Sequence, residues 1–319
     1  MNKSVTRESS VRLIQTEYPA SPGTPDGNEL RRALLSFEHV EGDYCGPIRA
    51  KTLAGWMKLT SFLRKNTPVE DQDAPVYLSV QIDGVGLTLS PQYAYAKKRA
   101  IFLFDCWPEN RADILQYLKV AGVQDVIING RGFATEVESM NLGLRVHFVP
   151  EAVDPEDYSA LSKEEKDIDV IEFGRKYERY HSELVSSLEA SGRTHLHQRL
   201  ETREEFIESL GRSKISVCFP RSLTESGRDP KFEFLSMRYV QSIASNCLVV
   251  GKAPENLIEL FGYNPVVEAD LKDPGGQIES ILENFDDYQE LIKRNREELC
   301  ANHTWKHRAA DILGILAKC

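Results

Sequence analysis

From residue 76 onward the chain alternates short apolar runs with longer amphipathic ones, and this alternation constrains the fold more than any other feature. "VYLSVQI" and "AIFLFD" are nearly continuous apolar runs of strand length. "ENRADILQYLKVAG" has helical spacing and closes on Gly122. "DVIIN", "GFATEVESMN" and "RVHFVP" read as strand, helix and strand. The acidic stretch "EAVDPEDYSALSKEEKDI" interrupts the pattern. It then restarts with strand "DVIEFG", helix "YERYHSELVSSLEASG", and helix "TREEFIESLG", whose Thr202 and Glu205 stand at capping-box spacing. Strand "KISVCFP", a helix through "FLSMRYVQSIAS", strand "CLVVG", helix "PENLIELFG", strand "PVVEAD" and three closing helices follow. Strands buried on both faces read as unbroken apolar runs, and alternation with helices makes parallel sheets. At 319 residues, two such sets predict an α/β protein of two Rossmann-like domains facing across a cleft. The expected limits are 1–155, a linker at 156–167, and 168–319 with a closing helix at 303–317. Residues 1–75 give weaker signals: "YPASPGTPDGNE" is a loop, and Leu53, Trp56, Met57, Leu59, Phe62 and Leu63 stand close to helical spacing.

A formal charge of −10 disfavours general nucleic-acid binding, because neutralising phosphates needs a basic surface. A local basic pocket for a small phosphorylated ligand remains compatible with it. None of the six cysteines (45, 106, 218, 247, 300, 319) forms a CxxC motif, which predicts a reduced, cytoplasmic protein. The N-terminus lacks the apolar region of a signal peptide, and no apolar run approaches the roughly 20 residues that span a bilayer.

Open α/β sheets bind ligands at the carboxyl ends of their strands. After "DVIEFG", Gly174 allows a tight turn, and Arg175, Lys176 and Arg179 can hold a diphosphate. A plain strand-to-helix turn with solvated cations reads equally well there. The loop after "KISVCFP" carries Arg221, Glu225, Arg228, Lys231 and Glu233, as a binding loop or as a solvated insertion. Arg238 and Gln241 follow on a helix. Residues eight apart on a helix lie within about 80° of each other, so a helix starting near Lys231 would place Glu233 and Gln241 on one face. An acid at a helix start is also favoured for its charge alone.

Residues 214–313 resemble the C-terminal donor-binding domain of GT-B glycosyltransferases, in the branch of group 1, family-4-like enzymes. A strand ends in Pro220, and "EFLSMRYVQSIASNCLVVG" follows a family pattern of Glu, seven residues, Glu, then Ala-Met-Ala-x-Gly and an apolar strand. Arg238 matches the Arg of a subgroup reading Arg-x-x-Glu. "ENLIELFGYNPVVEAD" and "NHTWKHRAADIL" match the next helix and the closing HTWxHR helix. The resemblance implies that Glu233 contacts the donor sugar and Gln241 the ribose, with Gly174 and Arg175 beside the donor diphosphate. Two positions depart from the pattern: Gln241 replaces a carboxylate, and Asn246 replaces the usual Gly.

The implied activity is transfer of a sugar from a nucleotide-sugar donor to a hydroxyl acceptor, metal-independent and retaining, with no cofactor. Glu233 and Asp105 are the candidate catalytic residues. Gly174, Arg175, Arg221, Lys231, Arg238 and Gln241 are the candidate donor-binding residues. The first half would then bind a glycan, lipid-linked or small-molecule acceptor, through Asp83, through Asp105 with Trp107 stacking on a sugar, or through Asn129 to Arg131. For Asp105 the plain alternative is a cap on the helix beginning at Pro108, and for Asp83 a turn. "PGTPDG" could stand in for a glycine-rich phosphate loop. No nucleic-acid partner is expected, and peripheral membrane contact stays open, although no amphipathic basic helix carries it. Two other readings share the fold: an inactive binding protein, and a nucleotide-sugar epimerase. His303 with His307, and His195 with His197, have the spacing of metal ligands, but the first pair belongs to the closing helix, whose apolar stripe is Trp305, Ala309, Ile312, Leu313 and Leu316, and no metal is expected.

Overall fold

The structure is a computed structural model that describes residues 10–15, 26–44, 52, 74–82, 93, 95–159 and 165–318. Asp83, most of the "PGTPDG" loop and the helix expected around residues 53–63 lie outside the described residues. Two compact units are present. One is centred on Gly27–Pro150 and takes in the residues from Arg308 onward; the other is centred on Glu151–His307.

The first unit contains a six-stranded, fully parallel sheet in the order β2-β1-β3-β4-β5-β6. Its strands are β1 (Val11–Gln15), β2 (Val40–Tyr44), β3 (Val76–Ile82), β4 (Lys98–Phe104), β5 (Asp125–Ile128) and β6 (Arg145–Phe148). Helices α1 (Asp26–Leu35), α2 (Arg111–Ala121) and α3 (Arg131–Ser139) connect some of them. Every residue of β4 from Ala100 to Phe104 is buried, as are all four of β5. That pattern belongs to central parallel strands covered on both faces. Gly122 closes α2 in the left-handed conformation (φ 60°), as the sequence predicted.

The second unit holds a five-stranded parallel sheet in the order β11-β10-β9-β7-β8. The strands are β7 (Ile168–Ile171), β8 (His195–Leu196), β9 (Ser213–Cys218), β10 (Leu248–Gly251) and β11 (Val267–Glu268). Its helices in chain order are α4 (Pro155–Ser159), α5 (Glu178–Ser191), α6 (Arg203–Arg212), α7 (Arg221–Thr224), α8 (Met237–Ala244), α9 (Glu255–Phe261), α10 (Pro274–Glu283) and α11 (Gln289–Asn302); the last helix, α12 (Trp305–Leu316), belongs from Arg308 onward to the first unit. Tyr180, Leu184 and Leu188, one stripe of α5, pack with Ile278 and Ile281 of α10 over Val170, Ile215, Val217, Leu248 and Val250. In α6 the predicted cap forms: Thr202 Oγ1 accepts from the Glu205 N–H at 3.1 Å.

The order of this sheet decides where a ligand can bind. Strand β8 adds to one side of β7, and β9 to the other. The chain therefore reverses its direction of sheet growth between β7 and β9. In open α/β sheets the crevice beyond the carboxyl ends at such a switch is the binding place. It is lined by the segments after Ile171 and after Cys218.

Four sequence expectations differ from this architecture. Strands β1 and β2 lie where the pattern was weak. The stretch 156–167 is not wholly a solvated connector, because Tyr158 of α4 is fully buried, as are the preceding Ala152 and Val153. Its charged residues hid those few core positions. The helix read as starting near Lys231 starts at Met237, after a separate 3-10 turn at Pro230–Phe232. Residues from Arg308 onward group with the first unit, not with the second. The stripe of α12 (Trp305, Ala309, Ile312, Leu313, Leu316) is buried as its spacing predicted, but a stripe does not say which unit covers it.

Candidate functional site

The segment after β7 turns at Gly174, whose φ is 69°, a left-handed value that glycine adopts without steric cost. A Cβ there would stand 3.3 Å from Cδ of Arg238. The glycine thus provides both the turn and the room for that side chain.

Arg238 is half-buried and joins the two segments at the switch. One guanidinium nitrogen donates to the Arg175 carbonyl at 2.6 Å, the other to the Phe219 carbonyl at 2.7 Å. Nε donates to Ser236 Oγ at 3.3 Å. The planar fork of arginine suits this two-acceptor task. The structure thus engages Arg238 with the backbone of the two segments; it positions the site.

Around this staple lies a cluster of three arginines on one carboxylate. Arg175 Nε stands 2.9 Å from Glu225 Oε1. Arg221 Nε and Arg228 Nε each donate to Glu225 Oε2 at 2.9 Å. Burial alone would raise the Glu225 carboxyl. The hydrogen bonds from Arg221 and Arg228, with the Arg221 and Arg175 charges, bring it below the usual glutamate value. Three guanidinium groups thus converge on one carboxylate at the switch point of a chain whose net charge is −10.

Glu233 is half-buried, and both of its oxygens are fixed. Oε1 accepts the Arg221 N–H at 3.0 Å and Oε2 the Ser222 N–H at 2.8 Å, so the carboxylate caps the short helix α7. Lys231 is exposed, its amine 5.4 Å from the centre of the Phe232 ring. Gln241, on the face of α8 that enters the core, is 1 % exposed, and its Nε2 donates to the Tyr158 hydroxyl at 3.0 Å. The structure does not place Glu233 and Gln241 on one helical face, because Glu233 precedes the helix.

A second polar cluster, which the sequence reading missed, lies beside Gly174. Glu172, directly after β7, is nearly buried and faces His181 Nδ1 at 2.5 Å and His195 Nε2 at 3.0 Å. An ionised carboxylate only accepts, so those two nitrogens carry the hydrogens. Burial would raise the Glu172 carboxyl, but these two hydrogen bonds and the histidine charges lower it. The His197 ring lies 4.7 Å from that of His195 and is pushed below the ordinary histidine value by burial and by its charged neighbours. The available signal was an acid immediately after a predicted strand, together with three histidines within 17 positions. Among the described residues no group of three or more His, Cys, Asp or Glu side chains is placed to hold a metal ion. His303 Nε2 lies 3.3 Å from Glu298, and His307 Nδ1 2.8 Å from Thr304 Oγ1, so that pair does not converge.

In the first unit Asp105 directly follows β4 in a left-handed conformation (φ 53°). The residue preceding the 3-10 turn at Pro108 is Trp107, and no side chain caps that turn, so Asp105 is not its cap. Trp107 is buried and presents no open face for a sugar to stack on. Asn129 is buried as well, and the Arg131 guanidinium lies 4.5 Å from the Phe148 ring centre.

Residues 158–314 match the model of a family described as "Glycosyl transferase-like". No curated relative matches the chain by sequence. Among solved structures, the chain is similar to the N-terminal domain of trehalose-6-phosphate phosphatase from Candida albicans, with a TM-score of 0.61, 11% identity, and coverage of 99% of this chain and 98% of that one. It is also similar to HepE of Anabaena in complex with UDP, at a TM-score of 0.54, 11% identity, and coverage of 97% and 100%. A third similar structure is the sucrose-phosphate synthase of Thermosynechococcus elongatus, at 0.54, 12% identity, and 97% and 98%. The chain as a whole has the GT-B fold, and its residues 158–314 are similar to a glycosyl transferase-like domain.

Proposed function

We propose that the second unit binds the diphosphate of a nucleotide sugar at the switch between β7 and β9, and that the protein transfers its sugar to a hydroxyl acceptor. The observation that carries this reading is the cluster of Arg175, Arg221 and Arg228 around Glu225. An internal carboxylate already occupies the centre of the cluster, which is the chemistry an anionic ligand would take over. Preorganised guanidinium groups stabilise the negative charge that grows on a departing nucleoside diphosphate. With that charge supplied by side chains, the reading needs neither metal nor cofactor, and by family resemblance it is retaining. HepE, similar in fold, has been solved with UDP and with UDP-glucose, which supports a uridine donor as the first to test.

Arg238 and Gly174 then position the two segments. Glu233 presents its remaining lone pairs to a sugar hydroxyl from a place fixed by two backbone N–H groups. Lys231 is exposed beside it and can reach a phosphate. Gln241 acts through Tyr158 and contacts ribose only after a side-chain rearrangement. Asp105 is proposed on the acceptor side, at the carboxyl end of a central strand.

The test is a thermal-shift series with UDP, GDP, dTDP, ADP and CMP, followed by transfer assays with the matching sugar nucleotide, with and without a chelator. One nucleotide is expected to raise the melting temperature, and Arg175→Ala and Arg228→Ala to weaken its binding roughly 10- to 100-fold, the loss of one charge-assisted bond. Folded variants that bind and transfer unchanged would end this assignment. Isomerised nucleotide sugar formed without an acceptor would select the epimerase reading.

A further inference from the structure

The second sheet has a cavity at the end away from the arginine cluster. The residues just before β7 and β10 and at the start of β9 face helix α11 across a cavity of about 680 Å³. Lys166, Lys214, Lys293 and Arg296 line it, against one acid, Glu297; Phe285 and Ile292 add an apolar wall.

Within the described residues these cations are poorly neutralised. Lys214 pairs with Asp169 at 2.8 Å. Lys166 has no carboxylate partner; its amine donates to the carbonyls of Ser213 (2.7 Å) and Ser245 (2.9 Å). Burial, with the nearby Arg296 charge, pushes that amine below the ordinary lysine value. Arg296 uses one of its five N–H donors, on the Ala244 carbonyl. Lys293 is exposed on the same helix, one residue beyond Ile292. Cations gathered at a concave surface with fewer acids than cations are electrostatically unfavourable unless an anion joins them. The volume lies in the range of small-molecule sites and is far larger than one phosphate needs.

We infer that this cavity is a second anion site, which takes a small phosphate ester on Lys166, Lys293 and Arg296 with its organic part against Phe285 and Ile292. It lies at the amino ends of the strands, apart from the residues proposed to hold the donor. A ligand there would act on the enzyme from a distance.

Cys300 lines the cavity and is exposed, whereas Cys106, Cys218 and Cys247 are buried, so the protein contains its own reporter. The experiment measures the rate at which iodoacetamide alkylates Cys300 in the full chain, read by peptide mass. Inorganic phosphate, a hexose monophosphate and a nucleoside monophosphate are the probes. An ester is expected to slow alkylation at least threefold and saturably, and more strongly than inorganic phosphate at equal concentration. The slowing should persist in Arg175→Ala and disappear in Lys293→Glu, an exposed charge reversal that leaves the core untouched; Arg296→Gln provides a second check. An unchanged rate with all three probes would overturn the inference. So would slowing that survives in Lys293→Glu, or that vanishes in Arg175→Ala.

Discussion

At the scale of single residues, two positions hold the carboxyl end of the second sheet together by opposite means, one by what it bonds and one by what it lacks. Arg238 bonds two backbone carbonyls on different segments, and lysine has no fork to replace that geometry. Arg238→Lys is expected to lower unfolding free energy by about 2 kcal/mol, the scale of a lost bond to a charged group. It should also weaken nucleotide binding although the proposed ligand contacts are intact. Urea denaturation and a binding titration on one preparation check both. Gly251, at the end of β10, has φ 149°, and a Cβ built on it would fall 1.8 Å from the Cys218 carbonyl oxygen. That neighbour is backbone of the adjacent strand and cannot swing aside. Gly251→Ala is therefore expected to cost at least about 3 kcal/mol, from strain and overpacking together. A variant that melts within a degree or two of the parent would contradict the close approach.

At the scale of elements, legibility followed the strength of the apolar pattern. Strands β3, β4, β5, β7, β9 and β10 were readable because inner parallel strands are apolar on both faces, and the edge strands β6 and β11 were readable from their place in the strand–helix alternation. Strand β8 is two residues long and bears a histidine, so no periodicity could reveal it. Helix α8 was found, but its start was misplaced by six residues. Acid and lysine before it looked like a helical first turn, whereas Asp229 caps a separate 3-10 turn by accepting the Lys231 N–H at 2.9 Å. The arginines were legible as charges in strand-end segments, and Arg221 and Arg228 stand within four positions of Glu225; the arrival of Arg175 at the same carboxylate was not legible, because it lies 50 positions away and meets it only where two segments come together at the switch. The α8–β10 connection is a case where resemblance and geometry meet. Asn246, which departs from the family's usual Gly, has φ 56°. Asn tolerates that region better than other residues with a Cβ. Asn246→Gly is expected to stay within a few tenths of a kcal/mol of the parent, and Asn246→Ala to lose about 1 kcal/mol. Equal stability of the two variants would show that the left-handed turn is not what this position selects for.

At the scale of the whole molecule, the two units should differ in their response to acid. Asp169, Glu172, Glu225 and Glu279 have carboxyls lowered by hydrogen bonds from Lys214, from His195 and His181, from Arg221 and Arg228, and from Arg193 respectively, with burial opposing the first three most strongly. All four belong to the unit centred on Glu151–His307. A carboxylate lowered in the folded state binds protons more weakly there than in the unfolded chain. Its contribution is fully present above the unfolded values of 3.8 for Asp and 4.5 for Glu, and is lost as pH falls through the lower folded values. Glu172 weighs most, because it is nearly buried, and protonating it removes the acceptor of two histidine hydrogen bonds. Between neutral pH and about pH 4 the second unit should hold its structure; below that it should open before the first. Hydrogen exchange followed by peptide, at stepped pH, separates the two units in one experiment. Peptides over 168–200 should gain exchange at higher pH than those over 98–128, and Glu172→Gln should flatten the acid response of the former. If the first unit opened earlier, the histidine–carboxylate cluster would not be the acid-sensitive joint of this protein.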